Sequence, residues 1–251
     1  HFTCHPVNVF ATRHDAVSAD WPGAWGAAMQ QRYGDGCRPL VVNGCCGNIN
    51  PWPGFTPDFR PDHWRMGCEL AASAQAVIER MAFREVDTLD WQVKRIPLPL
   101  KAADPERLAF AQEMLAKHPE PRWTEGGYLD SEWFRATSIM SVEYHRKRHP
   151  YLRYEIQVFR IGDVALVGWP GEPFVEGQLA LKIASPAAET FVAHCTTQYV
   201  GYIPVSHAFP RGGHEVGLCY WAKLAPEALE TILAETTAML RAMFADAAGP
   251  R

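Results

Sequence analysis

The stretch YLRYEIQVFRIGDVALVGWPGEPFVEGQLALKI (residues 151–183) carries the change of period on which the fold class turns. Apolar and polar side chains alternate up to Ile161, the chain turns at Gly162 and Asp163, and a short apolar run follows to Gly168, the pattern of a β-hairpin. Trp169-Pro170-Gly171-Glu172-Pro173 then breaks the strand, and from Val175 the apolar spacing becomes helical. A hairpin that feeds directly into a helix belongs to a sheet with helices packed on it.

Reading outward, the same alternation recurs. Downstream, TFVAHCTTQY reads as a strand and PEALETILAETTAMLRAMFA as a closing amphipathic helix before a frayed tail. Upstream, HFTCHPVNVF at residues 1–10 is strand-like, SADWPGAWGAAMQQRY is a helix, and PLVVNGCCGNINP is a short strand breaking into a Gly/Asn loop. PDHWRMGCELAASAQAVIERM, DPERLAFAQEMLAKH and SEWFRATSIMSVEYHRKRHP read as further helices, and LDWQVKRIPLPL as a strand. HPEPRWTEGGYLD, residues 118–130, is an exposed connection inside one domain, because the pattern resumes after it. The expected fold class is α/β, one domain over 1–251, with one or two mixed β-sheets covered by helices.

Composition excludes several classes. With 47% apolar residues among 251, the chain fills a sizeable core. A net charge of −4 and scattered Lys and Arg argue against nucleic acid as a partner. No apolar run is long enough for a transmembrane segment, no signal peptide opens the sequence, and no compartment is assigned. Seven cysteines without a Cys-x-x-Cys pair support neither a disulfide framework nor a zinc-thiolate site, and most read as buried free thiols. Most of the nine tryptophans are expected in the core.

Four places at strand ends have the residues for chemistry. His5, restricted by Pro6, is either a satisfied polar residue or a ligand. The loop NGCCGNINPW, residues 43–52, is either a plain turn or a cradle whose N–H and amide groups face a developing negative charge. Within it, Cys45 and Cys46 have no basic residue close in sequence to activate a thiol. Glu172, between Gly171 and Pro173, caps a helix or holds a metal. Finally, Tyr199, Tyr202, His207, His214 and Glu215 crowd an irregular segment in the manner of a binding site.

Taken in order, FTCHP, VSADWPG, GNINP, GDVALVGWPGEPF, QYVGYIP and GGHEVG resemble the catalytic domain of the neutral/alkaline (non-lysosomal) ceramidase family, over residues 2–217. The resemblance implies a zinc-dependent amidase of lipid metabolism, the family's reaction being cleavage of the N-acyl bond of ceramide to sphingosine and a fatty acid. It implies His5, Glu172 and Tyr202 as metal ligands, matching the family's His-Pro step, its Pro-Gly-Glu-Phe-like turn and the second tyrosine of its Tyr-x-x-Tyr step. A further metal histidine is expected from an upstream part of the same domain, and the family's immunoglobulin-like C-terminal domain is expected to be missing.

The departures carry information as well. Where the family has Gly-Asp-x-Ser-Pro with a catalytic serine, this sequence has Gly47, Asn48 and Asn50. Asparagine is no acyl nucleophile, so the resemblance implies metal-bound water in that role, with Asn50 and loop N–H groups holding the oxyanion. His214 stands at a family tyrosine with Glu215 retained, and these two, with His207 and Tyr199, are the expected substrate contacts. The substrate is then a linear amide, an N-acyl lipid or a relative of one. A non-catalytic ligand- or carbohydrate-binding protein on the same scaffold is the alternative.

Overall fold

A computed structural model of the protein describes residues 1–13 and 15–245; the tail expected after the last helix lies outside the described residues. Six α-helices and six strands follow one another along them: α1 (Asp20–Tyr33), α2 (His63–Ile78), β1 (Leu89–Pro99), α3 (Pro105–Lys117), α4 (Ser131–Arg148), β2 (Tyr151–Ile161), β3 (Val164–Gly168), β4 (Glu172–Pro173), α5 (Val175–Ala184), β5 (Glu189–Ala193), β6 (Tyr202–Ile203) and α6 (Ala228–Met243). The main sheet has the order β1-β2-β3-β5; its first two pairings are antiparallel and β3-β5 is parallel, which makes it mixed. A second sheet consists of the parallel pair β4-β6.

Local chemistry starts the helices where the sequence places them. Asp62, Asp104 and Asp130 cap α2, α3 and α4, each carboxylate accepting from backbone N–H groups of the first turn. The core lies between the main sheet and α5 and α6. Tyr154, Ile156 and Val158 of β2, Ala165 and Val167 of β3 and Val192 of β5 pack with Leu181, Leu229, Ile232 and Leu240. Burying side chains of this size stabilises the fold by about 1.5–3 kcal/mol each. Two polar groups are satisfied inside it, since Trp169 Nε1 donates to Thr236 Oγ1 at 2.9 Å and Tyr154 OH to the Pro170 carbonyl at 3.0 Å. A smaller cluster of Ala111, Ala136, Ile139, Val142 and Leu218 joins α3 to α4.

Two expectations are corrected. Residues 1–10 and the run before the Gly/Asn loop do not form strands; Phe2 makes one isolated parallel bridge to Asn43, and side-chain bonds replace the ladder beyond it. Pro6 supplies no N–H, so regular pairing stops there. The tryptophans are not mainly core: Trp21 and Trp169 are buried, whereas Trp64, Trp91 and Trp123 are exposed. The cysteines are free and mostly buried, as expected: Cys4, Cys45, Cys46 and Cys219 are buried, Cys37 is half-buried, and Cys68 and Cys195 are exposed. No helix of the described residues is long and apolar enough to cross a membrane.

Candidate functional site

The carboxyl ends of the parallel strands β3 and β5 fix the site, because the chain leaves each of them into a loop that meets the 43–50 loop. Trp169 N–H bonds Ala193 O at 2.9 Å, Cys195 N–H bonds Gly171 O at 2.8 Å, and His194 N–H bonds Asn43 O at 3.1 Å. A sheet end of this kind holds loop groups still. Gly171 makes the turn possible: its φ of 76° is left-handed, and a Cβ there would meet Gly201 O at 2.5 Å.

His5 is held on two sides. Its backbone N–H and its ring Nδ1 both point at the Ile49 carbonyl, at 2.9 and 3.2 Å, so Nδ1 is a donor and Nε2 faces the opposite way. Behind it, the buried Asp20 carboxylate accepts from Asn8 Nδ2 (2.9 Å), Val9 N–H (2.7 Å) and Trp21 N–H (2.7 Å), and Trp21 Nε1 donates to His5 O at 3.3 Å. Asp20 therefore anchors the segment that carries His5 to α1.

Glu172 opens β4 and is buried. Its Oε2 lies 2.9 Å from His5 Nε2, and its Oε1 accepts from Tyr199 OH at 2.8 Å. Burial opposes the charged carboxylate, but His5 and Tyr199 outweigh it and hold Glu172 below its ordinary value. Burial likewise opposes a charged His5 ring, yet contacts with Cys46 and Glu172 lift it to about 10. Tyr202, on the strand beside β4, has its ring centre 6.4 Å from that of His5. Burial raises the pKa of its phenol, and Glu172 and Glu215 raise it further.

The 43–50 loop is tied to α5. Cys45 N–H bonds Gln178 Oε1 at 2.8 Å, Asn48 Oδ1 accepts from Val175 N–H and Asn48 Nδ2 donates to Glu176 Oε2, both at 2.9 Å. Asn48 thus holds the first turn of the helix, and the Gly47 N–H is bonded to Pro173 O at 3.0 Å. A Cβ on Gly47 would lie 2.4 Å from Glu172 O, so only glycine lets the loop approach the glutamate this closely. Of the loop residues expected at the oxyanion, Asn50 remains exposed beside Ile49.

Cys46, and His194, which sequence reasoning did not single out, complete the cluster. Cys46 Sγ lies 3.8 and 3.9 Å from the ring nitrogens of His194, and it also contacts the His5 ring. Burial alone would raise the Cys46 pKa, but the two imidazoles bring it down to about 7, and His194 is correspondingly raised to about 10. No basic residue lies close to this thiol in the sequence; its histidines come from the distant positions 5 and 194. Cys46 is nonetheless 0% exposed, which closes it to an incoming acyl group.

The expected substrate contacts divide into two groups. Tyr199 touches Glu172, and His214 meets Tyr202 edge-on, 5.5 Å between ring centres, while stacking on Trp221 at 4.8 Å. Trp221 stacks in turn on Phe134, so an aromatic shelf runs from Tyr202 to α4. Glu215 acts on Tyr202 electrostatically. His207 sits on the 3-10 turn Ser206–Arg211, where its charged neighbour is Glu230 of α6.

The donor set suits zinc in its chemistry. A metal histidine bonds one ring nitrogen to a backbone carbonyl or carboxylate and gives the other to the ion; His5 Nδ1 bonds the Ile49 carbonyl in this way, while its Nε2 bonds Glu172, whose other oxygen accepts from the Tyr199 phenol. His5, Glu172 and Tyr202 are the residues that would hold the ion. Among the described residues, no three His, Cys, Asp or Glu side chains are already gathered about one metal-sized point; His5 and Glu172 bond each other instead.

The structure is similar to that of a neutral ceramidase from Pseudomonas aeruginosa, with a TM-score of 0.61 and 16% sequence identity over 96% of this chain and 43% of that one. It is also similar to a ceramidase complexed with C2, with a TM-score of 0.64 and 16% identity over 98% of this chain and 45% of that one. The chain therefore has the fold of the ceramidases and spans less than half the length of these two proteins. No family model and no curated protein matches its sequence.

Proposed function

We propose that the protein is a zinc-dependent hydrolase of a linear amide, such as an N-acyl lipid, built on this fold. The observation that carries the reading is the His5–Glu172 contact at 2.9 Å, made across 167 residues of chain and backed by the Ile49 carbonyl. His5 Nε2, Glu172 and Tyr202 would hold the metal. When bound, zinc supplies an activated water as the nucleophile at neutral pH.

The remaining steps belong to the chain itself. Asn50, on the exposed lip of the loop, donates its amide N–H groups to the acyl oxygen as negative charge develops there. Gly47 and Asn48 keep that lip against β4 and α5. Tyr199 fixes the Glu172 carboxylate, and the shelf of Tyr202, His214 and Trp221 provides an apolar wall for the substrate chain.

The test is a panel of N-acyl amides, including ceramide, and the corresponding esters, incubated with the protein with and without added zinc, with free fatty acid measured. Zinc-dependent release from at least one amide is expected. No release from any member, together with saturable binding of a carbohydrate that protects Trp221 fluorescence from quenching, would favour the binding-protein alternative.

A further inference from the structure

We propose that the outer face of the main sheet binds a long-chain carboxylate, with the acid group held at Arg153 and Arg95 and the chain lying along Trp91, Phe159, Leu89 and Ile161. The site is separate from the His5–Glu172 cluster, and its affinity does not depend on amide cleavage.

Charge is the first argument. An open cavity of about 460 Å³ is lined by Arg95 of β1, Arg153 and Glu155 of β2, and Thr197 and Gln198 of the loop after β5. Arg95 stands opposite Glu155 in the register, and its guanidinium bonds that carboxylate at 2.7 Å from Nε and 2.6 Å from a terminal nitrogen. Arg153, on the same face of β2, has no carboxylate within ion-pair distance among the described residues. Two guanidinium charges against one carboxylate leave one positive charge, which suits a monoanion. The planar fork of Arg153 matches a carboxylate with two parallel hydrogen bonds.

The wall of the cavity is the second argument. Gln198 Nε2 donates to the Arg153 carbonyl at 2.9 Å and so fixes the loop to β2. Cys195 and Thr197 both have left-handed backbones, with φ of 51° and 57°, although neither is glycine. Between them the Thr196 hydroxyl is buried with no hydrogen-bond partner among the described residues. Each strained residue costs about 1–3 kcal/mol, and strain of this kind clusters at ligand clamps.

The third argument is the apolar strip that continues from the cavity. Along β1 and β2, the side chains that alternate with the buried Ile96, Tyr154, Ile156 and Val158 face away from the core. Starting at Arg95–Glu155, the pairs on this outer face run through Val93–Gln157 to Trp91–Phe159 and Leu89–Ile161. Trp91 is 67% exposed, Leu89 74%, Phe159 39% and Ile161 42%. Large apolar side chains gathered on one open face mark an interaction surface. At about 3.4 Å per residue, the strip from Arg95 to Leu89 spans about 20 Å, room for an extended acyl chain whose charged end sits at the arginines.

Titration calorimetry of the full chain with myristate, 1-tetradecanol and acetate, each below any micelle concentration, tests the idea. Myristate should saturate one site per chain, and tetradecanol, which lacks the charge, should bind at least about 10-fold more weakly. Arg153→Gln should weaken myristate about 10- to 100-fold, and Trp91→Ala about 10-fold. Glu155→Gln removes a like charge and should tighten myristate binding. These side chains lie on the outer face, away from the core, and circular dichroism checks that each variant is folded. Equal affinity for myristate and tetradecanol, unchanged affinity in Arg153→Gln, or no saturable myristate binding would overturn the proposal. A wild-type dimer in sedimentation that Trp91→Lys converts to a monomer would also overturn it, by showing that a second copy covers the face. Myristate binding without cleavage of any amide would sink the function proposed above and leave this site standing; amide cleavage without myristate binding would do the reverse.

Discussion

His5 Nε2 and Glu172 Oε2 meet at 2.9 Å, with only 16% and 12% of their side-chain surfaces exposed. The pair joins an irregular N-terminal segment to the second sheet, and its charge state makes the fold sensitive to pH.

Against the effect of burial, Cys46 and Glu172 raise His5 from the usual 6.5 to about 10, while His5 and Tyr199 lower Glu172 below 4.5. A raised histidine contributes stability that is complete below pH 6.5 and lost as pH rises through about 10; a lowered glutamate contributes stability that is complete above pH 4.5 and lost on acidification. The metal-free protein should therefore gain most from this pair between pH 4.5 and 6.5. Its thermal midpoint should fall from pH 6.5 to 10, and Glu172→Gln should weaken that decline. Identical pH profiles for wild type and variant would contradict the assignment.

Asp20 holds the His5 segment through three hydrogen bonds to a buried carboxylate. Asp20→Ala leaves those donors unsatisfied and should destabilise the protein by about 3 kcal/mol in urea unfolding. Metal affinity should fall with it, because His5 loses its anchor. A loss below about 0.5 kcal/mol, the range of ordinary surface changes, would show that the network is dispensable.

Gly47→Ala puts a methyl group 2.4 Å from the Glu172 carbonyl oxygen and 2.9 Å from that of Pro173, both backbone atoms that cannot swing aside. A cost of about 1–3 kcal/mol is expected, with loss of activity as β4 is pushed away from the loop. Wild-type stability together with wild-type activity would mean that the close approach is not needed.

If Asn50 stabilises the oxyanion, Asn50→Ala should lower kcat about 100-fold or more with zinc stoichiometry unchanged. Asn50→Ser should alter the rate of acyl transfer, again without loss of metal. Equal rates of amide hydrolysis for wild type and Asn50→Ala would remove the residue from the mechanism.

Much of the fold was legible because its signals are local. The Ile161-Gly162-Asp163 turn, the aspartate caps of α2, α3 and α4 and the change of period after Pro173 each act within a few residues. Residues 1–10 misled because alternation reports which side chains face inward and says nothing of a ladder; here Asn43 and Asp20 side chains bond the backbone in place of a neighbouring strand. The pairing of Cys46 with His194 was invisible for a different reason. They lie 148 residues apart, and only the parallel β3-β5 end brings them together, so no spacing in the sequence could announce the pair.

The central claim is tested most directly by stripping the protein of metal, adding zinc back in steps, and measuring zinc bound and N-acyl amide hydrolysed on the same samples. Hydrolysis should be absent from the stripped protein, rise in proportion to bound zinc, and level off at one zinc per chain, while Glu172→Gln recovers neither. Full hydrolysis by the stripped protein, or one tightly held zinc without cleavage of any amide, would contradict the account.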